Sequence, residues 1–174
     1  MAKDNLSDEQ IELLLRMPKV VTNPRARMKT LERQEQWDYN VESTTTDDKF
    51  ALFVRQSTRI PDSFSVGLRH IKGEDSVTLM RCNGPSHPHR NHLEDERFEP
   101  QCHVHVATSR YLSVGKKDEG YAYATDAYTD VKGALGHLLA TCNVAGIVIA
   151  KEVDIPQAHT DQLDFFEKDE PRDD

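Results

Sequence analysis

Three strand-length segments lie almost end to end between residues 49 and 82, and no other part of the chain constrains the fold as strongly. Residues 49–56 (KFALFVRQ), 64–71 (FSVGLRHI) and 76–82 (SVTLMRC) are rich in Val, Phe, Leu and Ile. They are separated by the turn-forming segments Ile60-Pro61-Asp62-Ser63 and Lys72-Gly73-Glu74-Asp75. Short connections between such segments predict an antiparallel meander. Side chains alternate along a strand, so Phe64, Val66 and Leu68 share one face and Ser65, Gly67, Arg69 and Ile71 the other. The same alternation opposes Val77, Leu79 and Arg81 to Thr78, Met80 and Cys82, and allows Arg55, Arg69 and Arg81 to gather on one side of the sheet.

The flanking segments read as helices. Ser7 with Gln10 is a capping box ahead of an Ile11, Leu14, Leu15 stripe that Pro18 ends. A second helix is expected from Pro24 or Arg25 to about Trp37, with Asn23 as its cap and Met28 and Leu31 on its apolar side. A third is expected over residues 130–143, with Asp130 as cap and Val131, Leu135, Leu138, Leu139 and Cys142 buried, and residues 146–150 add a short strand. The expected fold is therefore α+β: an antiparallel β-meander of four or five strands with two N-terminal helices and one C-terminal helix. A chain of 174 residues suits one domain with appendages. The expected division is a helical segment over 1–46, an α+β domain over 47–151 and an acidic tail over 152–174.

Composition narrows the function classes. The longest strongly apolar stretch, residues 144–150, is far short of a membrane-spanning helix, and the charged N-terminus does not read as a secretory signal. Three cysteines without a C-x-x-C pair fit a reduced, cytoplasmic protein rather than a disulfide framework. The net charge of −8 is unevenly spread, because the tail holds nine acidic residues against Lys168 and Arg172. The rest of the chain is nearly neutral, so a phosphate-bearing ligand is not excluded.

The chemistry is concentrated in five of the eight histidines, His87, His89, His92, His103 and His105. Residues 83–100 (NGPSHPHRNHLEDERFEP) form a connection too long and too histidine-rich for a passive loop. In residues 101–107 (QCHVHVA), Cys102, Val104 and Val106 share one strand face while His103 and His105 project from the other. Unperturbed histidine takes and gives a proton near neutral pH, so such a group suits general acid and base catalysis. Arg81, Asn83, His87, Arg90, Asn91, Arg110 and Tyr111 stand nearby as candidate substrate contacts, because a guanidinium fork matches a phosphate. The first expectation is a metal-independent ribonuclease or phosphodiesterase with His103 and His105 as acid and base, His89 and His92 beside them, and no cofactor. The expected partners are RNA or another phosphate-bearing substrate, with a protein partner such as an antitoxin in second place. The alternative is a non-enzymatic protein whose histidine-rich loop binds an anion or a metal. Zinc would be held by His103 and His105 with donors from Cys82, His87, His89, His92 or Cys102. A third expectation is a metal-dependent hydrolase, whose activity would be lost in EDTA and restored by manganese or zinc. His70, His137 and His159 read as isolated residues, and Tyr121, Tyr123 and Tyr128 as packing.

The block LMRCNGPSHPHRNHLEDERF followed by HVHVATSRY resembles a family of small, uncharacterised bacterial proteins. These carry an R-x-N-G-P-H-x-H-x-N segment and then an H-I-H-x-A-x-x-R-Y segment. The likeness runs from Phe50 to about Asn143 and places Asn83, His87, His89 and Asn91 in the first segment and His103, His105, Arg110 and Tyr111 in the second. It implies no activity of its own. More distantly, the chain is similar to toxins of bacterial toxin-antitoxin modules that cut ribosome-bound messages, which implies RNA cleavage in a toxin or defence role.

The charge distribution generates a test. A chain truncated after Lys151 is expected to bind RNA more tightly than the full chain in a filter-binding or anisotropy titration, because the tail competes for the basic surface. Equal affinity would mark the tail as a solvated end.

Overall fold

Alternation of buried and more exposed positions organises residues 34–42 in the computed structural model, and the strands that follow build a sheet on it. The structure describes residues 6–115 and 117–149. Its elements are α1 (Asp8–Arg16), β1 (Lys19–Val21), β2 (Lys29–Leu31), β3 (Gln34–Ser43), β4 (Lys49–Ser57), β5 (Phe64–Lys72) and β6 (Asp75–Asn83). They continue with β7 (His89–Asn91), β8 (Glu96–Phe98), β9 (His103–Val106), α2 (Ser109–Ser113), β10 (Tyr121–Ala124), α3 (Val131–Thr141) and β11 (Val144–Ala145). Nine strands form one sheet in the order β10-β9-β6-β5-β4-β3-β1-β11, with β2 also paired to β3; β7 and β8 form a separate hairpin. Every pairing is antiparallel except that of β1 with β11. None of the described helices is long and apolar enough to cross a membrane.

This mostly β architecture, with three short helices among the described residues, corrects the expected α+β meander of four or five strands. The meander is present as β4, β5 and β6, but it is the middle of a larger mixed sheet. The second N-terminal helix does not form. Its residues build the β2–β3 hairpin instead, because Glu35, Trp37, Tyr39 and Val41 are buried while the residues between them are not, a period of two that a helix cannot satisfy. Pairing Trp37 to Val54, Tyr39 to Leu52 and Val41 to Phe50 places those three residues over the same core as the meander. The stretch before residue 47 thus contributes strands to the main sheet. The acidic tail and His159 lie outside the described residues.

The first and last predicted helices form as their caps require. The Ser7 hydroxyl accepts from the Gln10 amide while the Gln10 side chain accepts from the Ser7 amide, closing the capping box of α1. Asp130 accepts from the Gly133 amide at 2.7 Å to start α3, and Asn143 ends the turn at a left-handed φ of 52°. The short C-terminal strand lies at Val144–Ala145, before the expected position. Helix α3 lies against β4, β5 and β6 and buries Val131, Ala134, Leu135, Leu138 and Leu139. Facing it are Leu52, Val66 and Leu68, with no exposure. Each such side chain contributes about 1.5–3 kcal/mol of transfer free energy.

Between β5 and β6 the register shifts at Leu68/Arg69, so that Leu68 faces Met80 and Arg69 faces Thr78 while Leu79 has no opposite number. Simple alternation would set Val77 beside Arg81. With the bulge, Val77 pairs with His70, and Met80 and Cys82 pair with Leu68 and Val66 on the core face, while Arg81 opposes Gly67 on the second face.

One buried cation ties the two long helices to the sheet. Lys19 is 2% exposed, and its ammonium donates to the carbonyls of Leu15 at 2.8 Å, Met17 at 2.9 Å and Cys142 at 2.8 Å, beside the Phe50 ring. Those carbonyls sit at the C-terminal ends of α1 and α3, where four carbonyls per helix lack an internal partner. Burial brings the Lys19 pKa down to about 8, which still leaves it charged at neutral pH. Replacing Lys19 by Met strands two buried acceptors and one part-buried one, so Lys19→Met is expected to lower the unfolding free energy by about 2–3 kcal/mol in urea denaturation.

Candidate functional site

The face of the sheet opposite α3 carries two lateral rows that hold most of its polar residues, set by register. In the first, Gln36, Arg55, Ser65, Asn83, His103 and Ala124 are successive cross-strand partners from β3 to β10. In the second, Asp38, Phe53, Gly67, Arg81, His105 and Ala122 follow the same order. Arg55 and Arg69 lie over the Phe53 ring at 4.6 and 4.7 Å from its centroid, a cation–π pair that holds both guanidinium groups above the sheet. Gly67 makes room for that ring, since a Cβ there would stand 2.2 Å from Phe53 Cζ.

At the β9 end of these rows three imidazoles converge. His103 Nδ1 lies 2.7 Å from the Gln101 carbonyl and His105 Nδ1 lies 3.0 Å from the Glu119 carbonyl. A carbonyl only accepts, so both Nδ1 atoms carry the proton and both Nε2 atoms present lone pairs. Asn83 Nδ2 sits between them, 3.5 Å from His103 Nε2 and 3.4 Å from His105 Nε2. His89 arrives from β7, stacked on His103 with centroids 5.6 Å apart and edge-on to His105 at 4.6 Å. One nitrogen from each of the three rings lies within 4.8 Å of the others.

The hairpin that delivers His89 is docked by one side chain. Asn91, with no exposure, donates from Nδ2 to the Ala122 carbonyl at 2.8 Å and accepts at Oδ1 from the Ala122 amide at 2.8 Å, pairing with β10 as a strand would. His89 Nε2 lies 2.9 Å from the same Oδ1, an acceptor, so it donates there. Burial is the largest influence on all three rings and disfavours their charged forms. It lowers His89 and His103, and with Arg81 beside it brings His105 down to about 2. The cluster therefore offers neutral nitrogens whose lone pairs can bind an electrophile, and His105 is neither an acid nor a ready base at ordinary pH.

Two clefts meet at the cluster and share Arg81, His87 and Lys117. One, of about 390 Å³, is lined by His89, His92, His105 and Glu119. The other, of about 460 Å³, runs along the rows past Arg33, Arg55 and Asn83. Arg81 pairs with Glu119 at 3.5 Å. Nε of Arg55, Nε of Arg81 and Oδ1 of Asn83 are buried without a hydrogen-bond partner among the described residues.

Of the residues singled out in the sequence, the structure brings together His89, His103, His105, Arg81 and Asn83. His87 is exposed at the rim, 6.0 Å from His103 between centroids, with its Nδ1 near Ser86 Oγ. His92 lines the smaller cleft but is exposed and outside the three-ring group. Arg90 pairs with Asp95, and Arg110 with Glu94. The Tyr111 hydroxyl donates to Glu94 at 2.7 Å and accepts from the Leu93 amide at 3.2 Å. Arg110 and Tyr111 thus brace the β7–β8 turn. Cys82 faces the core, where burial pushes its thiol up to about 12, and it pairs with Val104 rather than approaching the imidazoles. Sequence reasoning missed Arg33, Lys117 and Glu119. Only Glu119 carries a signal there, the acidic turn before Gly120, and it says nothing of a backbone carbonyl reaching His105.

The chain matches a family of unknown function (DUF6978) over residues 6–144, and it belongs to that family. No curated protein and no solved structure matches it.

Asn91→Ala is expected to leave the Ala122 amide and carbonyl without their partner and to release His89. The variant should lose about 2 kcal/mol or more of stability, and hydrogen exchange at the Ala122 amide should accelerate while that of β5 does not.

Proposed function

We propose that the protein binds a phosphate-bearing polymer along the second face of the sheet and cleaves its phosphodiester bonds beside the three histidines, RNA being the substrate to try first. The observation that carries this reading is a group of neutral imidazoles where two clefts meet, with Arg81 and Lys117 lining both clefts and Arg33 and Arg55 lining the larger one. Two of those arginines have a buried Nε–H with no partner, and an unpaired buried donor costs about 1–3 kcal/mol unless a ligand takes it up. A phosphate between Arg55 and Arg81 supplies acceptors for both. It also places the next phosphate toward the imidazole nitrogens, where a proton can be removed from an attacking hydroxyl. Of the three, His89 is the half-buried ring, nearest to solvent for exchange of that proton.

A toxin or defence role with a protein antitoxin belongs to this reading as the setting in which such cleavage needs restraint. Non-enzymatic binding of an anion is the second reading, favoured by the partner-free Nε atoms, which need only a bound phosphate.

The test uses fluorescent single-stranded RNA. The full chain is expected to bind it with an affinity that falls steeply with salt, and Arg55→Ala is expected to weaken binding by about tenfold and to flatten the salt slope by about one charge. Cleavage products should appear with the wild-type chain and fall on the order of 100-fold for His89→Gln. Binding without turnover selects the anion-binding reading. Wild-type affinity in Arg55→Ala together with absent cleavage overturns both.

A further inference from the structure

We propose that His89, His103 and His105 are the ligands of a divalent transition-metal ion, with the Asn83 side-chain oxygen as a fourth donor and the remaining position open to the arginine-lined cleft. This deepens the phosphodiesterase reading by making it a metal-centred one, but the metal site stands on its own geometry.

Three observations carry it. First, the imidazoles come from two elements far apart in the pairing scheme, β7 and β9, yet one nitrogen of each lies within 4.8 Å of the others. Zinc–nitrogen bonds of about 2.0–2.1 Å imply tetrahedral nitrogen spacings of about 3.3 Å, so the rings need to close by up to about 1.5 Å. His89, half-buried on a three-residue strand, is the least enclosed of the three. Second, His103 and His105 each donate Nδ1–H to a backbone carbonyl, at 2.7 and 3.0 Å. That is the outer-shell contact which sets a ligating histidine's tautomer and aims its other nitrogen. Third, Asn83 is 6% exposed, and its Oδ1 has no hydrogen-bond partner.

Asn83 weighs most, because it decides between a metal and plain packing. As oriented, one amide nitrogen serves two lone pairs at 3.4 and 3.5 Å, at the long limit of a hydrogen bond, while its oxygen is stranded. The amide oxygen and nitrogen are interchangeable by a half-turn. Turned, the oxygen would face two imidazole lone pairs, which is repulsive in an empty site and favourable when a cation lies between them. Packing alone explains neither orientation, whereas a cation takes up the Asn83 oxygen and one lone pair from each of the three histidines at once.

The donor set also indicates the class of ion. Imidazole nitrogens with one neutral oxygen suit zinc, cobalt, nickel, copper or iron, and no carboxylate is present to favour magnesium or calcium. Three protein nitrogens facing a cleft resemble the open arrangement of catalytic zinc centres more than a closed structural one. A bound ion of this class lowers the pKa of a coordinated water. Arg81, between the cluster and the basic cleft, stands where an anionic ligand would meet the ion.

The experiment is a titration of the full, chelator-stripped chain with zinc chloride followed by calorimetry, and with cobalt chloride followed by visible absorption. One equivalent is expected to bind, with the cobalt spectrum of a four- or five-coordinate site. His89→Gln, a half-buried change that spares the core, should weaken binding on the order of 100-fold, and Asn83→Ala about tenfold, with unchanged circular dichroism. The proposal is overturned if no stoichiometric binding is seen, or if His89→Gln binds zinc as the wild type does, which would place the ion elsewhere. Loss of RNA cleavage with retained zinc binding would sink the phosphodiesterase reading alone. RNA cleavage by a chain that binds no metal would sink the metal site alone.

Discussion

The pairing of β6 with β9 is the constraint on which the rest of the structure depends. It sets Cys82 against Val104 and Met80 against Val106 on the face covered by α3, and Arg81 against His105 and Asn83 against His103 on the other. A strand has a side-chain period of two, so a slip of one residue would drive both histidines into the apolar core and expose Val104, which has no exposure as folded. The hydrophobic requirement of one face thereby enforces the chemical arrangement of the other. The bulge at Leu79 serves the same end, because it lets β6 contribute Val77, Met80 and Cys82 to the core while Arg81 stays in the row with Gly67 and His105.

A second layer of control comes from backbone groups. The carbonyls of Gln101 and Glu119 decide which nitrogen of His103 and His105 keeps its proton, and the Ala122 amide decides which way Asn91 points and therefore which nitrogen of His89 donates. Glu119 acts twice, through its carbonyl on His105 and its carboxylate on Arg81. Burial then keeps the rings neutral. Such a site is pre-organised for an electrophile or a proton by its surroundings, not by unusual side chains.

Much of the site could be read from residue spacing. His103 and His105 alternate with Val104 and Val106, and that alone put them on the face away from the core. Arg55, Arg69 and Arg81 were legible only as residues able to gather on one side, because the bulge in β6 that sets Arg81 opposite Gly67 has no local signal. Asn91 and Tyr111 were legible as members of the polar cluster but not as braces, because their partners, Ala122 and Glu94, are set by how the hairpin docks. The β2–β3 hairpin was misread because Asn23-Pro24 imitates a helix start, and the burial of Trp37, Tyr39 and Val41 that overrides this local signal comes from β4.

The amino-acid sequence by itself determined the central meander, the caps of α1 and α3, and the opposition of His103 and His105 to Val104 and Val106 across β9. These depend on local chemistry and on a period of two. The tertiary structure alone decided that β1 to β3 extend the meander into a nine-stranded sheet and that the β7–β8 hairpin folds back to bring His89 onto His103 and His105. It also decided that Lys19 gathers the ends of two helices. Each of these is a contact between segments distant in the chain, and its free energy appears only when both partners are buried together.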